Sequence, residues 1–80
     1  MTVPLFFFHV RDGDGLTEDP DGSELPDLRA AKAEAVVAAF EITAAVLRAG
    51  KTPGARRFEI RDKAGRTLAT VPFPDVSNSP

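Results

Sequence analysis

The sequence predicts an α+β domain in the order ββαββ, with one long helix packed on one face of a three- to four-stranded antiparallel or mixed sheet. Three observations carry this. Asp27–Gly50 is a long, alanine-rich, amphipathic stretch; Leu5–Arg11 and Arg56–Phe73 alternate like strands; and Asp, Gly and Pro cluster in the gaps between them. Eighty residues make one domain. Its predicted extent is 1–73, with 74–80 as a flexible tail.

Leu5–Arg11 reads as the first strand. Phe6, Phe8 and Val10 share one face, and Leu5, Phe7, His9 and Arg11 share the other. Because the second set ends in His and Arg, the first set is expected to face the helix. Asp12-Gly13-Asp14-Gly15 signals a tight turn, and Leu16–Asp19 is expected to return as a short second strand. A further turn at Pro20-Asp21-Gly22 leads through Glu24-Leu25-Pro26 to the helix.

The helix has matching start and stop signals. Pro26 favours an extended approach, and the Asp27 carboxylate can accept from the free N–H groups of the first turn and suits the positive end of the dipole. Alanine has the highest helix propensity, and no Gly or Pro interrupts the run. Arg48 stands in the last turn, Gly50 fits the left-handed position beyond it, and Pro53 prevents a restart. A step of about 100° per residue puts Leu28, Ala35, Ala39, Ile42 and Val46 at the centre of an apolar face. Val36, Phe40 and Leu47 lie on its flank, and Glu34, Glu41 and Arg48 form a solvent stripe. This arc is wider than one sheet requires. Phe40 and Leu47 therefore either cover the edge of the same core or meet a second chain.

After the loop Lys51–Ala55, Arg56–Asp62 alternates with Phe58 and Ile60 inward and Arg57, Glu59 and Arg61 outward. Asp62-Lys63-Ala64-Gly65 makes a hairpin turn, and Arg66–Phe73 is the partner strand, confined to an edge by Pro72. The phase of that strand stays open: Ala69, Val71 and Phe73 share one face, Leu68 and Thr70 the other. The uncovered sheet face would carry Phe7, His9, Arg11, Arg57, Glu59 and Arg61, an aromatic ringed by charges.

Composition bounds the function. With 42% hydrophobic and 28% charged residues the chain is neither disordered nor membrane-like. A net charge of −2 argues against general nucleic-acid binding. The absence of cysteine removes thiol catalysis, disulfides and Cys-based zinc sites, and favours the cytoplasm. The apolar run Val3–Val10 lacks a signal-peptide flank and is too short to span a bilayer.

No constellation encodes a reaction. His9 is the single histidine, and the serines lie in turns or the tail, so a Ser-His-Asp triad has no rigid support. Asp12–Asp27 holds seven carboxylates and no base, but its spacing fails the EF-hand pattern, and Asp and Gly dominate turns for backbone reasons. No cofactor or metal is expected. Charge divides unevenly: residues 1–28 carry one basic and seven acidic groups, whereas 29–80 carry nine basic and five acidic. Such a chain can dock its acidic end on a basic one, within the fold or between protomers.

Three segments resemble a family of short bacterial proteins of unknown function: Phe6-Phe7-Phe8-His9-Val10-Arg11-Asp12-Gly13, Glu24-Leu25-Pro26-Asp27-Leu28, and Arg57-Phe58-Glu59-Ile60 with Gly65-Arg66 and Thr70-Val71-Pro72-Phe73. That resemblance implies no activity and transfers no catalytic residue. The layout of strands before an Ala/Glu-rich helix also looks like the HicB-type antitoxin domain, though no DNA-binding segment follows. The resulting expectation is a non-catalytic, homodimeric protein-interaction or regulatory module. Phe7, His9, Arg11, Arg57, Arg61, Phe40 and Leu47 are its candidate contact residues, for self-association and for an unidentified protein partner. The alternative is a nucleic-acid-associated regulator using the basic hairpin.

Overall fold

A computed structural model describes residues 3–51 and 54–74. The strands are β1 (Leu5–Asp12), β2 (Gly15–Thr17), β3 (Ser23–Glu24), β4 (Arg56–Arg61) and β5 (Thr67–Pro72), with the helix α1 (Leu28–Arg48) between β3 and β4. They form one five-stranded antiparallel sheet ordered β2-β1-β4-β5, with β3 also paired to β1. The order is thus βββαββ. The added strand is two residues long, Leu5 opposite Glu24 and Phe6 opposite Ser23, and continues into a bond from the Leu25 N–H to the Pro4 carbonyl. The expected tail from residue 75 onward lies outside the described residues.

Each helix signal has its structural counterpart. Asp27 is extended (φ −160°) and its Oδ1 accepts from the Ala30 N–H at 2.8 Å. At the other end Gly50 takes φ +77°, donates to the Leu47 carbonyl, and is followed by a bond from the Lys51 N–H to the Val46 carbonyl. That paired pattern is a Schellman stop, which satisfies carbonyls the helix leaves free.

The core lies between α1 and one sheet face. Phe6, Phe58, Ile60, Val71 and Phe73 are buried against Ala31, Ala35 and Ala39, with Phe8, Val10, Leu25, Leu28, Ala38, Ile42 and Ala69 packed around them. Phe6, Phe8 and Val10 face the helix as expected, and the open phase of β5 is resolved with Ala69, Val71 and Phe73 inward. Leu68 is the extra residue at a register shift: Ile60 pairs with Ala69, but Arg61 pairs with Thr67.

The helix face needs correction. The residues it buries are Ala31, Ala35, Ala39 and Thr43; Leu28, Ile42 and Val46 are only half-buried. The rings of Phe58 and Phe73 sit 5.0 Å apart and Phe8 meets Phe58 edge-on at 6.1 Å, so aromatic bulk from the sheet already fills the space beneath the helix. What fits on top is a row of methyl groups. The larger apolar side chains of the helix consequently point elsewhere.

Candidate interaction surfaces

The seven candidate residues fall on opposite sides of the molecule. Phe7, His9, Arg11, Arg57 and Arg61 alternate with core residues and stand on the sheet face away from the helix. Phe40 and Leu47 stand on the outside of the helix.

On the sheet face, register places His9 beside Glu59, Arg11 beside Arg57 and Phe7 beside Arg61. Glu59 is the centre of this set, a residue that sequence reasoning put on the face but not in the site. It is 7% exposed although no helix covers it. Three guanidiniums converge on it: Arg61 Nη2 donates at 2.6 Å, Arg11 Nε at 2.9 Å, and Arg57 Nη2 lies 3.5 Å away. The hydrogen bonds from Arg11 and then Arg61 hold the Glu59 carboxyl well below its usual range, at about 2, against the opposing effect of burial. The same contact raises Arg11. Asp12 lies 3.4 Å from Arg56, and Asp62 accepts from the Arg66 backbone N–H and Nε, which lowers the Asp62 carboxyl. The basic hairpin therefore turns most of its guanidiniums onto carboxylates of its own fold.

Phe7 is half-buried rather than free. The turn at Asp19–Gly22 folds over it, and a Cβ at Gly22 would stand 2.9 Å from the ring. Asp19 fastens this turn to β1: its Oδ2 accepts from the Phe8 N–H, its Oδ1 accepts from the Asp21 and Gly22 N–H groups, and its own N–H donates to His9 Nδ1 at 2.9 Å. The expected strand Leu16–Asp19 is shorter in the structure: β2 ends at Thr17, and the Asp19 carboxylate does the work of a strand along the middle of β1. The acidic turn serves the backbone, and among the described residues no group of three His, Cys, Asp or Glu is arranged to hold a metal.

Gly22 gives a prediction. Its φ is +71° and its missing Cβ makes room for Phe7, whereas Gly13 has φ +60° and nothing within 4 Å. Gly13→Ala is expected to cost about 1 kcal/mol for the left-handed backbone alone. Gly22→Ala adds displacement of the Phe7 ring and should cost about 2–3 kcal/mol. Urea denaturation of both variants checks the difference; equal losses would mean that the ring yields freely.

On the helix, Phe40 is 58% exposed and Val37 56%, with Val36 and Leu47 nearly as open. They do not cover the edge of the core. With Ala33 and Ala44 they form a continuous apolar band on the side opposite Ala31, Ala35 and Ala39. No charged residue enters this band between Ala33 and Leu47. The sequence carries a spacing signal for this band: Ala30, Ala33, Val37, Phe40, Ala44 and Leu47 repeat at three and four residues, the pattern of a helix–helix seam.

A shallow open groove of about 420 Å³ lies at the start of β1, lined by Val3, Pro4, Leu5, Asp62, Lys63 and Ala64. It contains no candidate contact residue. No described helix is long and apolar enough to cross a membrane.

No curated protein and no solved structure matches the chain. The likeness to the HicB-type antitoxin domain gains no support. One family matches, over residues 5–74, and its span takes in all three segments that carried the resemblance. The chain belongs to the family described as Domain of unknown function (DUF6894).

Proposed function

We propose that this protein is a small, non-catalytic protein-interaction module of the cytoplasm, assembled as a homodimer, whose working surface is the outer band of α1. One observation carries the reading: the helix turns its alanines inward and presents Val36, Val37, Phe40 and Leu47 to solvent. An exposed apolar strip this continuous costs solubility and is retained where something covers it. The open sheet face, with its Glu59-centred charges, is the second contact area and the one suited to a polar protein partner. The nucleic-acid alternative draws less support, because Arg11, Arg56, Arg61 and Arg66 each contact a carboxylate of the same chain.

Sedimentation equilibrium over a wide concentration range tests the assembly. Mass is expected to rise from 8.6 kDa toward twice that value. Phe40→Asp should keep the fold, since the side chain is mostly in water, and hold the protein monomeric. It should weaken association at least about a hundredfold by removing apolar contact from both copies. A monomer at every concentration, or a Phe40→Asp dimer as tight as the parent, overturns the proposal. Salt-sensitive nucleic-acid binding lost in Arg57→Glu/Arg61→Glu would favour the alternative.

A further inference from the structure

The outer seam of α1 also determines how a second copy fits, an inference that rests on the helix band being the contact surface. We propose that two copies pair antiparallel about a two-fold axis, with Val37 of one against Phe40 of the other. Ala33 then meets Ala44, and Ala30 meets Leu47. The seam is self-complementary in this direction because every large side chain faces a smaller one. Parallel pairing would set Phe40 on Phe40, Leu47 on Leu47 and Ala30 on Ala30, whereas the Ala33 and Ala44 layers are small in either direction.

Opposed dipoles and the approach of Arg48 to Asp27 favour the same direction at the ends. Glu34, Glu41 and Arg48 follow one flank of the seam. Antiparallel pairing brings Arg48 alongside Asp27 and Glu34 of the second helix, although that end also carries Arg29 and Lys32, and it opposes the two helix dipoles. In the middle it brings Glu41 near the acids of the second copy, which weakens the pair.

Area sets the strength. Twenty-one residues make a rod about 31 Å long. A strip about 10 Å wide gives an outline of roughly 300 Å² per copy, compared with about 800 Å² per partner in a standard stable interface. The dimer is therefore a weak one that forms as concentration rises. A two-fold contact also closes on itself, so association stops at two. The two sheets then face outward on opposite sides, each presenting its Glu59 face.

The absence of native cysteine makes the register directly testable. Ala33→Cys and Ala44→Cys are mild substitutions on the outer band. In the proposed pair Ala33 of one copy adjoins Ala44 of the other, while the two Ala33 residues lie about 16 Å apart along the seam. A disulfide needs Cα atoms within about 7 Å. An oxidised equimolar mixture of the variants should give a covalent dimer on a non-reducing gel, and each variant alone should stay largely monomeric. Ala30→Cys with Leu47→Cys repeats the test near the seam's end. Self-bridging by Ala33→Cys alone would overturn the antiparallel register while leaving the helix band as the contact. A dimer by mass that bridges in neither mixture would place the contact elsewhere, and no dimer at all would remove both proposals.

Discussion

Glu59→Gln is expected to destabilise the fold by about 2–3 kcal/mol, although the change preserves size and leaves the hydrophobic core untouched. The ionised carboxylate accepts from Arg61 at 2.6 Å and from Arg11 at 2.9 Å, with Arg57 close by. Neutralising it leaves three like charges gathered on one patch. Removing one partner from a buried ion pair costs about 3–5 kcal/mol. Here the arginines remain partly in water, with side chains 23–47% exposed, which lowers the expected loss.

The pH dependence follows from the same geometry. Glu59 titrates at about 2 in the fold, below its ordinary 4.5. Its ionised form therefore contributes its full stability above about pH 4.5, and that contribution is lost as pH falls from there toward 2. Urea midpoints of the parent and Glu59→Gln should differ most near neutrality, draw together below about pH 4.5 and converge as pH approaches 2. Asp62 is also held low, mainly by the Arg66 backbone N–H, but it is common to both proteins and cancels in the comparison. A gap constant down to pH 2.5 would show that the arginines are not what holds Glu59 ionised.

Ala35→Leu is expected to cost about 3 kcal/mol, with a fall in Tm of more than about 10 °C. Ala31 and Ala35 are fully buried and Ala39 nearly so, against Phe6, Phe58 and Ile60. Three added carbons have no space unless the helix lifts from the sheet. Ala33→Leu, two residues earlier and on the outer band, adds the same carbons in water and should change monomer stability by less than about 0.5 kcal/mol. Thermal melts of the two variants at low concentration separate the faces. Equal effects would mean that the helix is not seated as described.

The contrast between those alanines explains what the sequence made legible. Local signals were sufficient for the helix ends, since Asp27 and Gly50 each act within a few residues of themselves. Alternation was sufficient for β1, β4 and β5, and it placed Phe6 and Phe8 under the helix. The buried side of α1 was displaced because periodicity weights a helix by its own large side chains. Which face docks is decided instead by the volume of Phe6, Phe58 and Phe73, supplied by β1, β4 and the residue that follows β5. β3 left no trace because two residues cannot show a period, and only pairing with Leu5 and Phe6 defines them. For the contact surfaces, alternation put Phe7, His9, Arg11, Arg57 and Arg61 on one face. It could not show that Glu59 gathers three arginines or that Gly22 lets a turn close over Phe7.

The Asp19 carboxylate has a consequence for the molecule at high concentration. Between β3 and β2 the middle of β1 would otherwise offer a bare backbone edge to any extended chain, and Asp19 occupies the Phe8 N–H there. On the opposite margin, β5 carries an irregularity at Leu68 and ends in Pro72, which lacks a donor. Both borders of the sheet are thus poor templates for amyloid-like growth. A protein protected in this way can be concentrated enough for a weak helical contact to operate without its strands fusing into fibres.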